Sequence, residues 1–225
     1  MTHPVHPGAP RRGLLRRPVA GARAGFSLIE LLAVVIIVGL LFAFLLPNLL
    51  SSKDAVNSKM TRTWLDQVSA EVSSYARAKG DFPPSTFPRK LDPKPSKTNM
   101  GVESLLIALM PADGSYLAGG DYDDRLGNTD GDDSKTPHTR FASSEVFELC
   151  DHWGNPIVYL HRRDYERGGT YVTYSEELAE WIEEKVVAAI NPTTGSPYRQ
   201  DTFQLISAGP DGQFGTADDI GNFNR

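Results

Sequence analysis

The stretch Phe26–Leu46 constrains this chain more than any other: 21 residues, FSLIELLAVVIIVGLLFAFLL, with Glu30 as the single charge. As a helix it is about 31 Å long, close to the roughly 30 Å hydrocarbon core of a bilayer. A helix of that length in a water-soluble core carries a polar stripe, and this one has none. The expectation is one membrane-spanning helix within residues 26–50. Its flanks set the orientation. Arg11, Arg12, Arg16, Arg17 and Arg23 precede it with no acid among residues 1–25, whereas Lys53, Lys59 and Arg62 follow it with Asp54 among them. The positive-inside rule places residues 1–25 in the cytoplasm and the remainder outside. The pair Arg11-Arg12 looks somewhat like a twin-arginine export signal. A removable export peptide, however, has an apolar stretch of about 7–15 residues and a small-residue cleavage site. Here the run is longer and is followed by Pro47-Asn48-Leu49-Leu50.

Charge narrows the partners. With the five arginines of residues 1–25 set aside, 18 of the 23 Lys and Arg residues face all 28 acids. Such an acidic remainder argues against a nucleic-acid partner. Cys150 is the one cysteine, which excludes an intrachain disulfide and a cysteine-built zinc site.

Beyond Pro47 the pattern becomes amphipathic. Val56, Met60, Trp64, Val68, Val72 and Tyr75/Ala76 recur every three or four residues, so residues 51–80 are expected to continue the helix with one apolar face. Gly80 and Pro83-Pro84 end it. Trp64 and Met60 read as core positions. A proline-rich linker opens residues 81–225, which read as a globular head. Within it, Gly101–Leu109 reads as a short helix, Asp151–Leu160 as a turn into a strand, and Tyr171–Tyr174 and Thr202–Ser207 as two further strands. Ser175–Ile190, SEELAEWIEEKVVAAI, reads as a helix with Ser175 as its N-cap. The fold class is therefore α+β, a long helix against a small, mainly antiparallel sheet.

The junction at Gly25-Phe26-Ser27-Leu28-Ile29-Glu30 resembles the processing site of type IV pilin-like precursors, which include type IV pilins and type II secretion pseudopilins. The resemblance implies cleavage by a prepilin peptidase after Gly25, methylation of the new N-terminal Phe26, and a helix-breaking Pro47. An acid inside a membrane helix is costly and usually marks function. Taken alone, Glu30 also fits a carboxylate that snorkels to the head groups. Cleavage adds an α-amino group at Phe26, which Glu30 of a neighbouring subunit can neutralise in a filament, fixing the axial register.

Farther on, Asp151, Trp153, Gly154, Pro156 and Tyr159, then Leu205–Gly212 and Asp218-Asp219-Ile220, resemble the C-terminal half of the major pseudopilin family of type II secretion. The insertion at 175–201 and the acidic stretch 121–133 depart from it. The resemblance implies a pilin-like fold, an inner-membrane, single-pass protein with a periplasmic head, self-assembly into a filament, and contact with the inner-membrane platform of the secretion system. A type IV pilin and a membrane-anchored binding or adhesive module are the alternatives.

The same residues point to calcium. Asp211, Asp218 and Asp219 fall within nine residues, separated by Gly212 and Gly215, and calcium takes six to eight oxygen ligands in flexible geometry. Ser207 is a weaker candidate ligand. The acidic stretch 121–133 fails the test for an EF-hand, because aligning Gly131 as the turn glycine puts Leu126 first and Pro137 twelfth. It reads as a solvated loop, with a second calcium site as the rival reading. No histidine pair has metal spacing and no serine sits in a G-x-S-x-G turn. An enzyme is not expected.

Overall fold

The computed structural model describes residues 26–88, 91, 95–114, 122–175 and 178–223, without the side chains of 44–52. Gly25, the arginines of residues 1–25 and Asp121 lie outside the described residues. Helix α1 spans Leu28–Lys79. It continues through Pro47 rather than stopping there: a proline forfeits one N–H bond, and the turns on either side keep theirs. The chain still divides at this residue, into units Met1–Pro47 and Asn48–Arg225.

In the first unit, every described side chain from 26 to 43 is exposed. Among the described residues no helix is long and apolar enough to cross a membrane. The apolar run of the sequence continues through residues 44–46, whose side chains lie outside that set.

The second unit holds the core. From α1 it takes Trp64, Leu65, Val68 and Val72. The expected apolar face is thus right from Trp64 onward, but Val56 and Met60 remain exposed, at 56% and 47%. Lys79 ends the helix as expected, with Gly80 in the left-handed region (φ 83°) and its N–H on the Ala76 carbonyl at 2.8 Å. Helix α2 (Met100–Leu109) contributes Val102, Leu105, Leu106 and Leu109. It packs against β2 (Glu148–Leu149), β3 (Val158–His161) and β4 (Gly169–Ser175). The approach is close: a Cβ on Gly101 would collide with Tyr171 Oη and the Tyr159 carbonyl.

Three small antiparallel sheets complete the unit. Strand β1 (Leu126–Gly127) pairs with β2, β3 pairs with β6 (Phe203–Ser207), which pairs in turn with β7 (Ile220–Gly221), and β4 pairs with β5 (Glu180–Val186). The α+β class and the strands around 157–160, 171–174 and 202–207 match expectation.

The helix expected over Ser175–Ile190 is instead the hairpin β4–β5. Thr173 faces Ile182 and Tyr174 faces Trp181 across it, with those aromatic rings 5.5 Å apart and edge-on. Ser175 does act like a cap, its hydroxyl accepting the Leu178 N–H at 3.3 Å. The chain then turns through Ala179 at φ 53° and runs back as a strand. Ser, Glu and Ala favour a helix locally, but cross-strand pairing and alternating burial along β5 override that preference.

Candidate functional site

The first candidate site is the start of α1. Ser27 caps the helix: its hydroxyl accepts the Glu30 N–H at 3.2 Å, while Glu30 Oε2 accepts the Ser27 N–H at 3.0 Å. This reciprocal pair is a capping box. It needs only residues 27 and 30, so it survives a cut after Gly25. The S-x-x-E signature stood in the sequence beside the expected processing site, and a reading centred on the charge of Glu30 missed it.

The second is the turn and loop that close the head. Asp151 is buried, and its Oδ1 accepts the N–H groups of Trp153 (2.9 Å) and Asn155 (3.0 Å). Its Oδ2 accepts the Ser207 hydroxyl at 2.6 Å. Burial pushes the Asp151 carboxyl up to about 6, against the pull of the Ser207, Trp153, Asn155 and Gly154 hydrogen bonds. Asn155 extends the turn to the hairpin, its Oδ1 accepting the Tyr174 N–H at 2.7 Å. The Gly212 carbonyl accepts the Thr173 hydroxyl at 2.6 Å, fixing the loop after β6 to the same strand. Gly209 and Gly212 both have φ near +70°, and a Cβ on either would strike a carbonyl, that of Asp218 or of Tyr174. The two glycines let the loop lie flat against its own return and against β4.

Within this loop Asp211 and Asp218 are joined directly, and Asp219 bonds the backbone of the same loop. Asp218 Oδ2 accepts the Asp211 N–H at 3.2 Å, and Oδ1 accepts the Thr216 hydroxyl. Asp211 Oδ1 accepts the Gln213 N–H, and Asp219 Oδ2 accepts the Gly215 N–H, each at 2.8 Å. Burial, then the neighbouring Asp218, Asp211 and Glu184 carboxylates, push Asp219 up to about 7. Ser207 is engaged elsewhere. Its hydroxyl is committed to Asp151 and accepts the Gly209 N–H at 3.2 Å. The donor set left to a cation here is the three aspartates with backbone carbonyls, an all-oxygen set suited to a hard ion.

A third group was not legible as a site in the sequence. Glu103 of α2, Asp130 of the acidic stretch and Glu148 of β2 come together, each offering a carboxylate oxygen within 4.8 Å of the others. Among the described residues it is this trio, and not Asp211, Asp218 and Asp219, whose ligand atoms cluster so tightly. The signal was an acid set inside each of two apolar segments, GVESLLIAL and VFELC.

No protein-family model matches the chain, and no solved structure matches it. It is similar to "Type II secretion system core protein G" of Escherichia coli (strain K12), with 23% identity over 201 residues, covering 88% of this chain and 90% of that protein. The similarity runs through both units and supports a pseudopilin-family relationship.

Proposed function

We propose that the chain is a structural subunit of a type II secretion pseudopilus, anchored by the apolar half of α1 and assembled through it into a filament. One observation carries the reading. Every described side chain over residues 26–43 is exposed, nearly all are apolar, and the lone carboxylate, Glu30, sits in the first turn. A surface of that kind requires a non-aqueous partner. A bilayer before assembly and neighbouring copies of the same helix afterwards both provide one. The similarity to a secretion-system core protein supports the same role.

In this reading a prepilin peptidase removes residues 1–25 and Phe26 is methylated. The helix crosses the inner membrane once, with the head in the periplasm, and the inner-membrane platform of the secretion system drives assembly. The role is structural rather than enzymatic. The test is co-expression of the full chain with a type II secretion platform and its prepilin peptidase. Immunogold electron microscopy is expected to show filaments labelled for this chain. Processed chain that never enters a filament contradicts the reading.

Calcium belongs to the same proposal. Asp211, Asp218 and Asp219 would hold the ion, which would neutralise crowded acids and fasten the C-terminal loop to the sheet. A ligand at a hundred times its Kd stabilises a folded state by about 2.7 kcal/mol, or about 5–10 °C in melting temperature for a domain of this size. Asp218→Ala is expected to lower calcium stoichiometry by one and shrink the melting shift, with the far-ultraviolet dichroism unchanged. Stoichiometry equal to the parent's rules out this loop as a site.

A further inference from the structure

We propose that Glu103, Asp130 and Glu148 bind a divalent cation, calcium by their donor chemistry, in a buried site formed by α2, the acidic stretch and β2. This site is separate from the C-terminal loop and draws its ligands from three distant segments.

Glu103 provides the strongest evidence. It is 0% exposed, and neither of its carboxylate oxygens has a hydrogen-bond partner. Both belong to the residue whose carboxylate converges with those of Asp130 and Glu148. Asp130 Oδ1 and Asp132 Oδ1 are likewise buried without a hydrogen-bond partner. Among the described residues, none of the ion pairs includes any of these four acids. A buried carboxylate with neither a cation nor donors costs several kcal/mol. A group of them costs more, because each raises the proton affinity of the others.

The remaining oxygens are held in place. Glu148 is buried and accepts Asn99 Nδ2 at 2.8 Å and the Thr129 N–H at 3.1 Å. Asn99 is itself anchored, its Oδ1 accepting the Val172 N–H at 3.0 Å. Ser96 positions the acidic stretch by donating its hydroxyl to Asp130 Oδ2 at 2.6 Å and its N–H to Asp132 Oδ2 at 2.8 Å. A reciprocal pair between Asn128 and Asp132 closes the turn. The Thr129 N–H is shared between both Glu148 oxygens, whereas Asp130 and Asp132 are each held through Oδ2 with Oδ1 left without a partner.

The ligands are all oxygens, which selects a hard cation over zinc or copper. Calcium bonds of about 2.3–2.6 Å let one ion bridge oxygens up to about 5 Å apart, a wider reach than the roughly 2.1 Å bonds of magnesium allow. The ion would join α2, the acidic stretch and β2 at one point, and so turn a departure from the family pattern into a structural clamp.

Isothermal titration of calcium chloride into the detergent-solubilised full chain tests the site, in the Asp218→Ala background so that the C-terminal loop does not contribute. One ion is expected to bind. Adding Glu103→Gln, or separately Glu148→Gln, is expected to weaken that binding at least tenfold. Without calcium, the Glu103→Gln chain is expected to melt no lower than its parent, because glutamine keeps the shape of the side chain and adds no charge. Two results overturn the proposal: Asp218→Ala binds no calcium, or both glutamine variants bind it within threefold of the parent affinity. These outcomes are independent of whether the chain forms filaments.

Discussion

Chains carrying Glu30→Ala are expected to be processed and membrane-inserted normally, yet to enter filaments at least a hundredfold less efficiently than the parent. In the proposed processing, cleavage after Gly25 would leave a charged α-amine on Phe26, at the start of an apolar run in which Glu30 is the single charge as far as Leu46. Removing one partner of a buried charge pair costs about 3–5 kcal/mol, and each 1.4 kcal/mol is about a factor of ten. The capping box complicates this experiment, because alanine also deletes the acceptor for the Ser27 N–H. Losing a cap costs about 0.5–2 kcal/mol. Glu30→Gln separates the two effects: glutamine serves in a capping box as glutamate does, but carries no charge. The account predicts that Glu30→Gln assembles as poorly as Glu30→Ala by crosslinking and electron microscopy. If Glu30→Gln forms filaments like the parent, Glu30 acts as a cap and the pairing with the neighbour's amine is wrong.

Gly25→Ala acts one step earlier. The reading places the scissile bond between Gly25 and Phe26, immediately ahead of the Ser27 cap. A protease must bind the chain extended at that bond, and glycine gives the least steric hindrance on the leader side. The variant is expected to accumulate as precursor, with processing reduced at least tenfold in an immunoblot. Without the free amine at Phe26 it is expected to form no filaments, even though Glu30 is intact. Normal amounts of mature Gly25→Ala chain would show that the cut does not depend on this glycine.

Much of the fold was legible because it rests on local patterns. The period of Trp64, Val68 and Val72 located the buried face of α1, and Gly80 its end. The β-branched and aromatic runs located β3, β4 and β6. The hairpin at 169–186 was not legible, since Ser175 and the acids after it imitate a helix start. What decides the matter is the pairing of Tyr174 with Trp181 and Thr173 with Ile182, which depends on the strand that precedes it. The helix continues past Pro47 as the amphipathic pattern over 51–80 led one to expect, without the break that a helix-breaking proline implies.

The sites divide in the same way. The Asp211, Asp218 and Asp219 group is local, so spacing alone offers it as a candidate, and the Ser207 hydroxyl is committed to Asp151. The Glu103, Asp130 and Glu148 cluster could not be found by spacing, because its members lie 27 and 18 residues apart and meet only through tertiary packing. The EF-hand test on residues 126–137 fails because Leu126 and Pro137 stand at ligand positions, and a test of that kind sees only ligands from one loop. Glu103 was nonetheless visible as an acid within an apolar helix, a pattern that usually has a buried partner.

The central claim is tested most directly at the N-terminus. The parent chain, purified from membranes of cells that carry a prepilin peptidase, should be analysed by intact-mass and N-terminal tandem mass spectrometry. The account predicts a chain beginning at Phe26 with a methylated α-amine. A chain that retains residues 1–25, or one cut beyond the apolar run, contradicts it.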